Sequence, residues 1–259
     1  MHELLLFGHV LEAQTSQVTK VLAGISEIQP QSVLERHLIY KPRRKPGQRP
    51  TPVGGTQGVQ SQQSQALLSQ LNGELFYMQL VSDVKETDFA TKSITEEPAS
   101  ASSCFDAASH AWKWQFRDLP EVAGRRPATS RMMAEVPFTA GNPPELIDAM
   151  GYSYVSEYLL EGSQFIYKNL ILLLYRLRRL PREEQQPQAP RTQLPPWDSL
   201  SLFDPSGGYI LQASVRVQDG SKPEGMTLGV NELRNFKDLM RGVVELEVGD
   251  RLSLDARSR

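Results

Sequence analysis

The stretch 142–180 constrains the fold most, because a helical pattern and then an extended pattern follow each other within it. It opens as a short helix, since Pro143 suits the first turn and Gly151 favours a helix end. Alternating side chains then predict a strand from Tyr152 onward, with a bulge or turn at Glu161–Ser163. Tyr152, Tyr154, Tyr158 and Leu160 would share one face of that strand.

The last part of the stretch, Leu170–Leu180, is strongly apolar and then basic. As a helix it would form a good apolar stripe, and as a strand it would be apolar on both faces, so periodicity leaves both open. It is far shorter than the ~20 apolar residues that cross a bilayer, so we predict no membrane contact. The strand interpretation places these side chains on one face: Leu170, Leu172, Leu174, Arg176 and Arg178.

Composition and charge limit the classes of function that fit this chain. The 259 residues carry a formal charge of −2, which gives no argument for direct nucleic-acid binding, where a strongly basic surface is expected. Cys104 is the only cysteine, so an intramolecular disulfide and a cysteine-rich zinc site are excluded, and a reducing compartment is compatible. The first residues lack the basic and apolar regions of a signal peptide.

Alternation and helical periodicity predict nine or ten strands and three helices in a single domain, 1–259, with flexible inserts at about 41–65, 85–108 and 181–206. The helices have apolar stripes around Val18–Ile28, Leu146–Met150 and Leu233–Met240. Besides those in 142–180, the candidate strands are Glu3–Leu11, Val33–Tyr40, Leu75–Val81, Trp112–Arg117, Arg131–Phe138, Tyr209–Val217 and a last one through Val244, Leu246 and Val248.

The order of three segments resembles the Mediator subunit 18 family. They are E-L-I-D-A-M-G-Y at 145–152, E-Y-L-L-E-G-S-Q-F-I-Y-K at 157–168 and L-Y-R-L-R-R-L at 174–180. The resemblance extends to the opening strand, Glu3–Val10, and to the strand, helix and strand of Gly208–Leu246. The resemblance implies an α+β, mainly β fold: a closed antiparallel β-barrel, like that of tunnel triphosphatases, with about three helices. It therefore favours a strand at Leu170–Leu180.

The same resemblance implies a non-enzymatic subunit of the head module of the nuclear RNA polymerase II coactivator. It implies pairing with Mediator subunit 20, uptake of the carboxy-terminal helix of Mediator subunit 8, contact with other head-module subunits and an indirect link to the RNA polymerase II initiation machinery. No cofactor is implied. The basic cluster Lys41–Lys45 fits either a nuclear-import signal or a solvated loop.

The segment Leu170–Leu180 supplies the candidate interface. If one of its faces fills a barrel, the other must be covered by the chain's own helices or by a partner. Both kinds of cover stay open from the sequence. The candidate partner-binding residues are Leu170, Leu172, Leu174, Arg176 and Arg178.

Two other functions compete with assembly. Tunnel triphosphatases begin with E-x-E-x-K, but the matching strand here starts Glu3-Leu4-Leu5-Leu6-Phe7, which removes half of a metal site. Glu157 and Glu161, with Arg176 and Arg178, could face a lumen, although a solvated outer face is expected. A barrel that binds a small apolar ligand would need a hollow lumen. Gly54–Gly58 lacks the G-K-[ST] of a phosphate loop, so we predict no catalytic, cofactor or metal site.

Overall fold

The computed structural model describes residues 1–45, 74–90, 105, 107–121, 127–138, 141–181 and 189–257. Within these ranges the protein has nine strands and three α-helices. The strands are β1 His2–Val10, β2 Gln31–Pro42, β3 Met78–Asp83, β4 Trp112–Arg117, β5 Thr129–Phe138, β6 Tyr152–Tyr167, β7 Leu170–Arg179, β8 Ser201–Leu202 and β9 Tyr209–Val217. The helices are α1 Thr15–Ser26, α2 Pro143–Ala149 and α3 Pro223–Leu239.

Eight of the strands form a closed ring. Their order is β6-β2-β3-β4-β5-β1-β9-β7, and the pairing of β6 with β7 joins the two ends of the sheet. All neighbours are antiparallel, and the short β8 pairs only with the end of β7. The closed antiparallel barrel that the family resemblance implies is therefore confirmed, and Leu170–Arg179 is a strand.

The inner face of the barrel carries polar side chains, and most of the apolar core packs on its outer face. Arg117 on β4 and Tyr175 on β7 lie on opposite strands of the ring. Burial raises the pKa of the Tyr175 phenol, and the charge of the Arg117 guanidinium partly offsets that rise. Side chains on opposite strands come close enough to interact only if both point into the lumen. Register then puts Glu3, Leu5 and Phe7 inside as well.

Two apolar clusters cover the outside. The first lies under α1 and α3, where Val18, Leu22, Leu233 and Phe236 pack on the outer faces of β1, β7 and β9. Gly229 lets α3 approach closely, because a Cβ there would lie 2.8 Å from Leu4 Cδ1. The second cluster is aromatic and lies under α2 and the connecting segments; its strand residues include Trp112, Trp114 and Phe116.

The sequence placed most elements correctly but missed local details. The bulge expected at Glu161–Ser163 lies instead near Val155, where the β2 register shifts between Ile39 and Tyr40. The shift separates the tyrosines: Tyr154 packs outside against Tyr40, whereas Tyr158 stacks inside on His37. Their predicted common face is therefore wrong.

The carboxy-terminal prediction was wrong in part. The expected strand through Val244–Val248 is an irregular segment with one bridge, between Glu247 and Phe7. Val244 and Leu246 are buried without belonging to a strand. In α3, Leu239 was expected in the apolar stripe but is 49% exposed.

The predicted inserts are only partly described. The prediction of 41–65 as an insert overlaps β2, which runs through Pro42; residues 46–73 lie outside the described residues. Of 85–108, the described part includes a 3₁₀ turn at Glu86–Asp88 and the buried Phe105. Of 181–206, it includes a 3₁₀ turn at Trp197–Ser199 and β8. The single-domain interpretation stays a prediction.

Candidate functional site

The leucine face of β7 lies outside the barrel but is covered. Leu170, Leu172 and Leu174 are at most 2% exposed and belong to the cluster under α1 and α3. Of the two kinds of cover that the sequence left open, the chain's own helices supply it in this structure. Contact of these three side chains with a partner stays a prediction, and for Leu170 and Leu172 it would require the helices to move.

Arg176 and Arg178 continue the same outer face beyond the helices. Both form ion pairs with Glu161 on the neighbouring strand β6, and the Arg178 Nε lies 2.8 Å from Glu161 Oε2. The Arg176 guanidinium stacks on Tyr209, and that of Arg178 on Trp197. These arginines therefore hold the segment before β9 against the barrel, and the acidic and basic groups do not face the lumen.

A second network on the outer face involves Glu157. Arg36 donates to Glu157 Oε2 from Nε at 2.9 Å, and both side chains are almost completely buried. Arg36 Nη2 also donates to the carbonyl of Arg191 at 2.8 Å, while its guanidinium stacks on Phe105. The network ties the described parts of two connecting segments to the barrel, so Glu157 has a structural partner.

An open cleft of about 550 Å³ lies on the outer face between these two regions. Its floor contains Leu174, Arg176 and Gly162, so two of the candidate residues line it. Thr15 and Thr19 of α1 form one wall. Phe89 and Trp197, in edge-to-face contact at 5.2 Å, form the other. Because its walls are partly polar and partly apolar, the cleft suits a segment of another protein.

The lumen is polar, but its charges neutralise each other. Arg131 on β5 donates to Glu3 Oε2 from Nε at 2.9 Å and from Nη2 at 2.8 Å, with both side chains buried. Burial lowers the pKa of Arg131, and the Glu3 charge opposes that shift. Arg216 contacts Glu135 at 3.2 Å. The charged pairs form within the wall of the barrel, which leaves few carboxylates for another ligand.

His37 and Glu35 form another internal pair. His37 Nε2 lies 2.9 Å from Glu35 Oε2, and its Nδ1 lies 3.2 Å from Gln79 Oε1. Burial raises the pKa of the Glu35 carboxyl, but the hydrogen bond and charge of His37, with the charges of Lys113 and Arg117, outweigh burial and lower it overall. This histidine is a packed and hydrogen-bonded side chain, as we expect for a histidine within a strand.

The geometry does not favour triphosphate hydrolysis. Leu5 and Phe7 occupy the lumen positions where tunnel triphosphatases carry their second glutamate and their lysine, and Glu3 is already paired with Arg131. Among the described residues, no three His, Cys, Asp or Glu side chains are grouped so that they could hold a metal ion. Cys104 lies outside the described residues. The described residues of the lumen therefore offer no carboxylate cluster of the kind that holds a divalent metal for triphosphate chemistry.

Two remaining sequence features can be placed. In the basic cluster, Arg43 pairs with the exposed Asp148 at 3.1 Å, and Lys41 and Pro42 belong to β2. None of the helices in the described ranges is long and apolar enough to cross a membrane.

The fold and surface define a helix-covered antiparallel barrel with an outer cleft, and comparisons with known proteins give its family. A family model described as "Med18 protein" matches residues 2–257. Curated relatives named Mediator of RNA polymerase II transcription subunit 18 are 40% identical in Aspergillus fumigatus and 37% in Aspergillus niger, each over 100% of both chains. The chain belongs to the Mediator subunit 18 family.

A solved structure has the same fold. A chain in the structure of the Schizosaccharomyces pombe Mediator head module superposes with a TM-score of 0.65 at 18% identity, over 96% of this chain and 99% of that one. At this identity the likeness supports the barrel alone. It confirms a fold that the resemblance implied.

Proposed function

We propose that this protein is a non-enzymatic subunit of the Mediator head module, which regulates transcription by RNA polymerase II. The observation that carries the proposal is the family match, because it covers residues 2–257 rather than one motif. The neutralised lumen is consistent with it, since Glu3 and Arg131 are paired and offer no metal site. The protein would act by presenting surfaces of a closed barrel to other head subunits.

The proposal extends to two partner subunits and to the site where one of them docks. Subunit 20 would pair with the barrel, and the carboxy-terminal helix of subunit 8 would lie against the cleft floored by Leu174 and Arg176. An amphipathic helix laid into a groove buries apolar side chains and leaves its charged face to solvent. A stable pairing with subunit 20 would bury ~800 Å² on each side. Assembly of this kind places the protein in the nucleus.

Co-expression with both partners of the same organism tests this proposal. We expect a stoichiometric complex that survives size-exclusion chromatography with light scattering. A tryptophan at Thr19 would fill the cleft, so Thr19→Trp should release the subunit 8 helix while subunit 20 stays bound. Lys20→Trp adds the same side chain at the next, exposed position of α1, outside the cleft, and serves as the matched control.

The experiment tests the assembly function and the docking site of the helix separately. A lone monomer that binds neither partner would contradict the assembly function. A complex that both tryptophan variants leave intact would contradict the cleft as the docking site of the helix, while the assembly function would stand.

A further inference from the structure

One end of the barrel has an exposed apolar surface that the cleft does not include. We call it the C-terminal mouth, because residues 247–254 lie along it. A cavity of about 370 Å³ opens there between this segment and five residues of the strands, Phe7, Gly8, His9, Tyr175 and Ile210. It lies at the lumen opening, since Phe7 and Tyr175 belong to the inner face of the ring.

The C-terminal segment is fixed along the rim of this mouth by contacts with four parts of the chain. Phe7 and Glu247 exchange two backbone hydrogen bonds of 2.8 and 2.7 Å. The Gly249 amide donates to Thr129 Oγ1 at 3.0 Å, and Arg251 Nε donates to the Pro120 carbonyl at 2.7 Å. Tyr77, just before β3, donates to the Ala256 carbonyl. The wall of the cavity is thus built and anchored.

The anchored segment nevertheless exposes large apolar side chains. Leu252 is 67% exposed and Val248 38%, and Ile210 across the cavity is 37% exposed. Phe203, at the same end of the barrel, is 44% exposed and packs edge-to-face on Tyr158. A group of exposed apolar side chains around a concavity marks a contact site rather than ordinary surface scatter.

The charges around the cavity are mainly acidic. Glu247 and Asp250 line it and are exposed, and among the described residues Glu247 has no ion pair. Asp204 stands nearby: hydrogen bonds from Ser206 lower the pKa of its carboxyl, and His9, which lines the cavity, lowers it further.

The arginines of this end keep their positive charge and have other contacts, but none of them lines the cavity. Arg251 donates to a carbonyl, Arg257 is bound to Asp255, and Arg179 stacks on Phe203 at 4.7 Å. An apolar cavity with an acidic rim fits a ligand that combines an apolar group with positive charge.

We propose that the C-terminal mouth binds a segment of a partner protein that inserts one large apolar side chain, flanked by lysine or arginine, into the cavity between Ile210 and residues 247–254. The apolar side chain would bury Val248 and Ile210 in the cavity, and the exposed Leu252 of the same segment would contact the bound segment. The flanking cations would lie next to Glu247 and Asp250. This surface is separate from the cleft, so the proposal does not depend on where the subunit 8 helix docks.

The test uses the full-length chain and a fluorescein-labelled peptide with one tryptophan between pairs of lysines. We expect saturable binding that weakens about tenfold in Leu252→Asp and in Glu247→Lys, since central apolar and charged contacts dominate such sites. Both side chains are exposed, so the fold should survive, which thermal unfolding would check. A peptide with serine in place of tryptophan should bind about tenfold more weakly as well.

Asp83→Lys is the matched control. It makes the same charge reversal as Glu247→Lys at an exposed residue that ends β3, and β3 begins near the mouth, where Phe76 bridges Arg257. Asp83 is therefore at the other end of the barrel, and its variant should bind the peptide as the unmodified chain does. Equal weakening by Asp83→Lys, or no binding at millimolar peptide, would overturn the proposal. So would a dimer in light scattering that Leu252→Asp dissociates, because a second copy would then occupy the mouth.

Discussion

Arg131 and Glu3 are the residues on which the inside of the barrel depends most directly. Their side chains are only 7% and 4% exposed and share two hydrogen bonds. Removing one partner leaves a buried charge unpaired, so Glu3→Gln should lower the free energy of unfolding by about 3–5 kcal/mol in urea titrations. Breaking the half-exposed pair of Arg216 by Arg216→Met should cost less than about 1 kcal/mol.

The double variant Glu3→Leu/Arg131→Met shows whether the lost stability comes from an unpaired charge or from lost packing. It removes both charges and keeps apolar volume, so we expect most of the lost stability to return. A double variant as unstable as Glu3→Gln would show that the stability effect does not come from an unpaired charge.

Tyr158 gives the barrel a dependence on alkaline pH. Burial raises its pKa to about 12, whereas a tyrosine in an unfolded chain titrates near ~10. The protonated phenol is therefore favoured by the fold, and its contribution to stability is complete below pH ~10 and is lost as the pH rises to about 12. Tyr158→Phe should lose less stability over that window.

The measurement is a series of urea titrations across the alkaline range for the unmodified chain and for Tyr158→Phe. The other buried tyrosines titrate in both proteins, so the difference between the two slopes reports Tyr158 alone. Parallel curves would contradict the assignment.

At the scale of elements, β7 carries the outer cluster under α1 and α3. Leu172 is 0% exposed in it, so Leu172→Ala should destabilise the protein by about 2–5 kcal/mol through lost burial and a residual cavity. Ile166 on the neighbouring β6 is 41% exposed and faces the other way. Ile166→Ala should cost less than about 1 kcal/mol, which makes it the control for a strand substitution.

A contrary result would have a clear meaning. If Leu172→Ala left the isolated chain stable but abolished the complex with its partners, the helices would not be the cover that matters. The partner-binding prediction for Leu170, Leu172 and Leu174 would then be supported.

Some strands could be predicted from the sequence and others could not. Alternation predicted β4 correctly, since Trp112, Trp114 and Phe116 share one buried face. Periodicity left β7 undecided, because an apolar run buried on its outer face fits both structures, and only the family resemblance favoured the strand. The bulge near Val155 carries no composition signal of its own, so the separation of Tyr154 from Tyr158 could not be foreseen.

The candidate site was predictable only in part. The parity of Leu170–Arg178 was correct, whereas the absence of a metal site, inferred from the missing E-x-E-x-K motif, stays a prediction. Which element covers the leucines depends on where α1 and α3 pack, and no local pattern encodes that. The C-terminal mouth was missed because Leu252 and Val248 belong to an irregular segment, whose exposure periodicity cannot predict.

At the scale of the molecule, most strand pairs join distant parts of the chain. β1 pairs with β5 and β9, and β2 pairs with β6. Sheets with such non-local pairing fold slowly, so stopped-flow refolding from urea should show a main phase in about the millisecond-to-second range. A refolding phase in microseconds would mean that local elements such as α3 limit the reaction instead.

The position of β1 in the ring also bears on how the protein is made. β1 leaves the ribosome before the other eight described strands, but one of its two neighbours is β9, which ends at Val217, and Phe7 also pairs with Glu247, some 240 residues later. Until those residues have been synthesised, β1 exposes the backbone groups of an unpaired edge, which invite pairing with other nascent chains. We therefore expect the nascent chain to need a chaperone or an early partner until β9 and Glu247 have been synthesised.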